Sequence, residues 1–171
     1  ETLWTLDGLV REGKCHYWGV SNWPLAWIER ALELCRDRGL CPPVADESQY
    51  NLLNREVMDR HVEAVTVAGL GLLAWGPLAS GVLTGKYHDD PPARGRLDTE
   101  RFAFLRPRLL TPASERIVAG LRARAHESGG SAGALAIAAL LRDPRLTSAI
   151  LGVTGVVQLE ELLAAPKEHD T

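Results

Sequence analysis

Apolar residues in the first thirteen positions recur at helical spacing. Leu3, Leu6, Leu9 and Val10 share one face, and Gly13 closes the segment. The run Cys15 to Val20 is short and rich in aromatic and β-branched residues, as a buried strand is. Ser21-Asn22-Trp23-Pro24 reads as a turn, from which Ser21 or Asn22 can cap a helix running to about Arg38. Ile28, Leu32 and Cys35 face inward on that helix, and Gly39 stops it. Pro43 to Glu47 predicts a second, weaker strand. Glu56 to Ala68 predicts a longer helix, broken by Gly69 and Gly71.

Leu72 to Trp75 is the third predicted strand and leads into the loop Gly76 to Gly81. Composition then shifts to Pro, Arg, Asp and Gly, which predicts a long surface loop over residues 87–110. Thr111 opens a new helix with Pro112 in its first turn, and Ser131 begins an Ala/Leu helix that ends before Pro144. Thr147 to Leu151 is the fourth strand, and Val157 to Ala165 a closing helix.

Strands alternating with helices imply a parallel sheet with right-handed crossovers. Four such units make either a small open α/β sheet or half of an eight-unit barrel. A whole (β/α)8 barrel takes about 250 residues, more than the 171 present. The opening at Glu1, already inside a helical pattern, favours the half-barrel. Both arrangements gather chemistry at the carboxyl ends of the strands. Those ends are Ser21-Asn22, Glu47 to Asn51, Trp75 to Gly81, and Gly152 to Gln158, and each is polar or glycine-rich.

Composition narrows the function classes. At 46% apolar, 24% charged and a net charge of −3, the chain reads as one ordinary globular domain over residues 1–171. No apolar run approaches the ~18 residues of a membrane span, and no signal-peptide pattern opens the chain. The absence of a Lys/Arg block argues against a nucleic-acid surface. Cys15, Cys35 and Cys41 form no CxxC pair, which suits a reducing, cytoplasmic setting. His16, His61, His88, His126 and His169 are scattered without metal-ligand spacing.

Several motifs fail on inspection. Ser80 and Tyr87 stand where a nucleotide loop ending in Gly85-Lys86 requires glycine and a hydroxyl residue. Gly69-Leu70-Gly71 precedes its strand, whereas the dinucleotide fingerprint follows one. Trp23 occupies the last position of a would-be nucleophile elbow, where glycine is needed. Other residues keep two readings. Ser21 and Asn22 either cap a helix or offer donors and acceptors to an amide-bearing ligand. Trp75 is either core or a platform for a flat ring. Lys86, Arg94, Arg96 and Arg101 either meet phosphate or are solvated, and Glu160-Glu161 reads as a solvated helix face.

Four stretches together resemble the aldo/keto reductases. They are Gly13-Lys14 through Gly19-Val20-Ser21-Asn22; Gln49-Tyr50-Asn51-Leu52-Leu53-Asn54-Arg55; Trp75 through Tyr87; and Ile150 through Thr154 with Gln158-Leu159-Glu160-Glu161. They cover nearly the whole chain in the right order. The loop after Tyr87 and Trp75 are most similar to the branch holding potassium-channel β subunits and their bacterial relatives.

The resemblance implies a (β/α)8 TIM barrel, of which this chain supplies about the last four βα units and an extra helix. It implies NADP(H) as cofactor, bound without a Rossmann domain, and reduction of a small-molecule carbonyl to an alcohol by hydride transfer. Carried over residue by residue, Ser21 and Asn22 would contact the nicotinamide carboxamide and Trp75 would stack on its ring. Gly76, Pro77, Leu78, Ala79, Ser80 and Gly81 would wrap the pyrophosphate. Lys86 and Arg96 would meet phosphates, with Arg94 the neighbouring alternative. Gly152, Thr154, Gln158 and Glu161 would hold the adenosine end.

Three positions depart from the family pattern. Glu47 stands where a glutamine commonly bonds the carboxamide, and Leu162 where an asparagine reads adenine. The family's catalytic Asp, Tyr, Lys and His lie on its first four strands, and this chain begins after them. Tyr17, Tyr50 and Tyr87 do not match that tyrosine's motif, so no catalytic residue is assigned. The competing expectations are a non-catalytic NADP(H)-binding redox sensor or channel partner, and an inactive fragment. Neither nucleic acid nor membrane is an expected partner, and the isolated chain is expected to self-associate through its open sheet edges and inner face.

Overall fold

The structure is a computed structural model and describes residues 1–89 and 95–164. Helix α1 (Thr2–Arg11) leads to strand β1 (Gly19–Ser21). There follow α2 (Leu25–Arg38), β2 (Ala45–Gln49), α3 (Arg55–Val67) and β3 (Gly71–Trp75). After a run of short helical turns come α4 (Arg106–Leu109), α5 (Pro112–Ser128), α6 (Ala132–Leu141), β4 (Leu146–Ile150) and α7 (Val156–Leu163). The four strands pair in parallel in the order β1-β2-β3-β4, so each strand lies beside its predecessor, as helical crossovers dictate.

Register fixes which residues share a face. Glu47 lies opposite Ser21 on one side and Leu73 on the other, while Gln49 lies opposite Trp75 and Trp75 opposite Ile150. Side chains alternate along a strand. Val20, Asp46, Ser48, Leu72 and Ala74 are buried on one face, whereas Ser21, Ala45, Glu47, Leu73 and Trp75 are half-buried or exposed on the other. Two apolar clusters cover the buried face. Ile28, Cys35 and Val65 pack with Trp18, Val20, Leu40 and Leu70, against Leu3, Leu6 and Val10 of α1. Val62 and Leu140 pack with Tyr50, Leu72, Ala74 and Leu146. Helices α5 and α6 enclose a third cluster with the segment after β3, including Val82, Leu83, Leu97 and Val118.

Helix boundaries follow local chemistry. Thr111 and Ser114 exchange side-chain-to-backbone bonds at the start of α5, with Pro112 in its first turn. Ser131 Oγ accepts from Ala134 N at the start of α6. Helix α6 is apolar on every side and nearly all of it is buried, as a helix without a polar face must be.

The structure corrects three expectations. Strand β1 is shorter and later than Cys15–Val20, and β2 is displaced from Pro43–Glu47 to Ala45–Gln49. Pro42 and Pro43 have no N–H to donate, so the ladder starts only after Val44 N reaches Trp18 O. Helix α2 begins behind Pro24 with no side-chain cap, so neither Ser21 nor Asn22 serves that role. The stretch expected as a surface loop over 87–110 contains short helical turns at Lys86–His88, Arg96–Asp98 and Ala103–Leu105, and then α4. Leu97 is fully buried there, so this stretch contributes to the core. Arg94 and Ala165 lie outside the described residues. Among the described residues no helix is long and apolar enough to cross a membrane.

Candidate functional site

The carboxyl tips of β1, β2 and β3 are tied together by one chain of hydrogen bonds. Trp75 Nε1 donates to Asn22 Oδ1 (3.2 Å), Asn22 Nδ2 donates to Ser21 Oγ (2.9 Å), and Ser21 Oγ donates to the carbonyl of Glu47 (2.9 Å). Asn22 holds a left-handed backbone (φ 55°), which asparagine tolerates better than most residues and which turns its amide back over the strand end. Trp75 is therefore fixed at its nitrogen by the tip of β1, two strands away, with the side chain on the open face of the sheet.

The loop after β3 is shaped by backbone conformations that few residues accept. Gly76, Ala79, Ser80, Gly81 and Gly85 all have positive φ, two of them without being glycine. Such residues cost of order 1–3 kcal/mol each and persist only when their surroundings impose them. Three surrounding contacts do so. Asn51 Nδ2 donates to Gly76 O (3.1 Å), Tyr87 Oη donates to Ser80 O (3.1 Å), and Thr84 Oγ1 donates to Gly81 O (2.8 Å). Ala79 is buried and Leu78 packs on the same core, so this loop faces outward with backbone and Ser80 rather than with apolar side chains.

Two cations lie in the surface that this loop forms with the next. A Cβ on Gly81 would approach Lys86 Cε to 2.8 Å, and one on Gly95 would approach it to 2.6 Å, so the lysine stem runs through a channel only two glycines leave open. Lys86 Nζ lies 5.2 Å from the Tyr87 ring centroid. Arg96 stacks over Phe102 at 5.5 Å, and its Nη2 lies 3.5 Å from where a Cβ on Gly152 would sit, which joins the loop after β3 to the loop after β4. Neither Lys86 nor Arg96 has a carboxylate partner among the described residues. Unpaired cations beside a glycine-lined cradle fit an anionic group such as phosphate.

Beyond β4, Gln158 Oε1 accepts from Thr154 N (3.0 Å) and Thr154 Oγ1 (3.1 Å), which folds the start of α7 back onto the strand tip. Glu161 is exposed. Leu162 is buried against α6, where its Cδ2 lies 3.0 Å from a Cβ built on Gly133, so it packs and does not read a ligand. A cleft of about 370 Å³ runs along the open face from Tyr17, Val44 and Ala45 to Ser21, Glu47 and Leu73. It meets the site only at Ser21 and Glu47; Trp75, Lys86 and Arg96 lie outside its lining.

The three tyrosines have other duties. Tyr50 is fully buried and donates to Asp143 Oδ2 at 2.7 Å; burial, then Asp143, pushes its hydroxyl above the ordinary tyrosine value. Hydrogen bonds from Arg145 hold the Asp143 carboxyl well below the usual carboxylate range, despite its burial. Tyr87 Oη, besides donating to Ser80, accepts from Leu97 N (3.1 Å). Tyr17 is largely exposed.

Sequence reasoning missed Asn51, Tyr87 and Gly95 as supports of the site. The signal for Asn51 was a polar residue inside an otherwise apolar Tyr50-to-Leu53 stretch, where an amide needs partners.

The profile of the aldo/keto reductase family matches residues 1–169. A putative voltage-gated potassium channel subunit beta of Schizosaccharomyces pombe is 35% identical over 169 residues, covering 96% of this chain and 49% of that protein. A probable voltage-gated potassium channel subunit beta of Oryza sativa subsp. japonica is 36% identical over 167 residues, covering 96% of this chain and 51% of that protein. The L-glyceraldehyde 3-phosphate reductase of Escherichia coli is 34% identical over 169 residues, covering 96% and 48%. The chain thus spans about half the length of the curated relatives it matches. By the extent of that match and the parallel α/β sheet beneath it, the chain belongs to the aldo/keto reductase family.

Proposed function

We propose that this chain is the cofactor-holding half-barrel of an NADP(H)-dependent reductase that converts aldehydes or ketones to alcohols. The observation that carries this is the convergence of Lys86 and Arg96, without carboxylate partners among the described residues, on a glycine-lined surface at the same sheet end as Trp75, Asn22 and Ser21. Trp75 would face the nicotinamide ring, Asn22 and Ser21 its amide, and residues 76–81 the pyrophosphate. Lys86 and Arg96 would meet the phosphates, with the 2′-phosphate distinguishing NADP(H) from NAD(H). Gly152, Thr154, Gln158 and Glu161 would border the adenosine. When bound, the reduced nicotinamide supplies the hydride for carbonyl reduction. This chain's own residues bind and orient, and the proton donor is assigned to no residue here. Cysteines free at Cys15, Cys35 and Cys41 support a reducing, cytoplasmic location.

A non-catalytic NADP(H)-binding module is the second reading. It needs the same binding residues and no proton donor, and the hydroxyls of Tyr50 and Tyr87 are engaged with Asp143 and with Ser80 and Leu97.

Titration of the purified protein with NADPH and NADH, followed by tryptophan fluorescence, tests the cofactor assignment. NADPH binds more tightly than NADH, and Lys86→Ala weakens NADPH about 10- to 100-fold, the weight of one hydrogen bond to a charged group. Equal affinity for the two nucleotides, or an unaltered variant, contradicts it. Turnover of a model aldehyde with NADPH, measured on the whole protein to which the proposed half-barrel would belong, separates reductase from binding module.

A further inference from the structure

Glu47 occupies the middle of β2 on the open face, one strand spacing from Ser21 and Leu73, its register partners. Trp75 lies one diagonal step further along β3, on the same face. The alternation is firm, because Asp46 and Ser48 on either side of it are buried on the opposite face. Glu47 is half-buried and lines the open cleft. Besides its place in the strand ladder, its backbone carbonyl accepts from Ser21 Oγ; its carboxylate has no ion pair or hydrogen bond among the described residues.

A carboxylate partly withdrawn from water without a protein partner is costly to keep, and a bound group can offset that cost if it brings positive charge or N–H donors. On the cofactor assignment above, the group nearest Ser21, Asn22 and Trp75 is the nicotinamide. Its two redox forms carry the same phosphates, but the oxidised ring bears a positive charge and the reduced ring none. Every phosphate contact of Lys86 or Arg96 is therefore common to both forms. A fixed charge beside the ring is not.

We infer that Glu47 sets the redox preference of this site, drawing the bound cofactor toward its oxidised form. The inference rests on the nicotinamide assignment, and it concerns the ratio of two affinities rather than their size. A unit charge several ångströms from the ring in a half-exposed setting changes that ratio by about tenfold.

The test is the dissociation constant of NADP⁺ and of NADPH, each measured by calorimetry on the wild type, Glu47→Gln and Glu47→Asp, with folding checked by circular dichroism. Glu47→Gln is expected to lose about tenfold in NADP⁺ affinity while NADPH holds or tightens. Glu47→Asp, which keeps the charge, is expected to retain most of the wild-type ratio. The wild-type ratio moves toward that of Glu47→Gln as salt is raised, because the effect is coulombic. Both forms binding with a ratio that Glu47→Gln leaves unchanged overturns the role of Glu47 and leaves the cofactor site intact. Neither form binding to the wild type overturns the cofactor assignment itself, and this inference with it.

Discussion

The two faces of the sheet use the same strands for different ends. On the helix-covered face Leu72 and Ala74 are fully buried, and even polar Asp46 is held by Ser48 Oγ (2.6 Å) and His61 Nε2 (2.8 Å). On the open face Ser21, Glu47, Leu73 and Trp75 are half-buried or exposed, and at the strand tips Trp75 bonds to Asn22, Asn22 to Ser21, and Ser21 to the backbone carbonyl of Glu47. An all-parallel sheet is ordinarily covered on both sides. Here one face carries the packed core and the other the hydrogen-bonded strand tips, and they alternate residue by residue. Substitutions one position apart should therefore have effects of different kinds.

The largest effect belongs to the network behind the covered face. Asp143 is almost wholly buried, accepts from Tyr50, and is held by Arg145 at 2.9 Å through both Nε and Nη2. Asp143→Ala strands the Tyr50 hydroxyl and removes the carboxylate from Arg145, at an expected cost of about 3–5 kcal/mol in urea unfolding. The pH dependence has a definite sign. The Asp143 carboxyl is depressed below its unfolded value, so its contribution is complete above the ordinary carboxylate range. That contribution is lost as pH falls through the lower folded value. Asp7, lowered to about 2 by its bond from Arg11, acts in the same direction. Asp143→Asn should flatten the acid limb of stability against pH, and an unchanged limb would remove this pair from the account.

Adjacent leucines offer the most direct comparison. Leu72→Ala opens a cavity in the cluster with Val62 and Leu140 and is expected to cost about 2–5 kcal/mol. Leu73→Ala, on the open face, is expected to cost less than about 1 kcal/mol, because part of its surface is already in water. Equal losses for the two would mean that the open face is covered and that the alternation has been misassigned.

Elements with a strong hydrophobic period were readable from residues alone, as were those with clear stop signals. Helix α2 ends at Gly39 in a left-handed cap (φ 63°), and α5 starts at Thr111-Pro112, both at the expected places. Strand limits were less readable, because they depend on what lies alongside; Pro42 and Pro43 delay β1 through their missing N–H groups, and no property of Cys15 to Trp18 announces that. The buried Leu97 was hidden for a related reason. Turns of three residues have no period to detect, so a Pro- and Arg-rich segment conceals a core residue. The expectation that Ser21, Trp75 and Gly152 stand at or just after strand ends matches the structure, while the contacts of Asn51 and Gly95 became visible only in it.

A further effect, on binding and not on stability, tests where the two faces meet. Trp75 is the last residue of β3, directly after buried Ala74, and its ring is half-buried with Nε1 bonded to Asn22. If its purpose is a flat apolar surface for a ligand, Trp75→Ala should weaken NADPH binding by about 0.5–1.5 kcal/mol, a factor of roughly 2 to 13, with little change in unfolding free energy. Trp75→Phe retains a ring and loses only the indole N–H, so most of the affinity should survive. The Asn22 amide then loses one exposed partner, a loss that water makes good. Binding is best followed by the emission of NADPH itself, since one of the protein's five tryptophans is removed. Should Trp75→Ala instead cost several kcal/mol in stability while leaving affinity untouched, Trp75 would belong with Leu72 and Ala74 as packing, and the division of labour between the faces would end one residue earlier on β3.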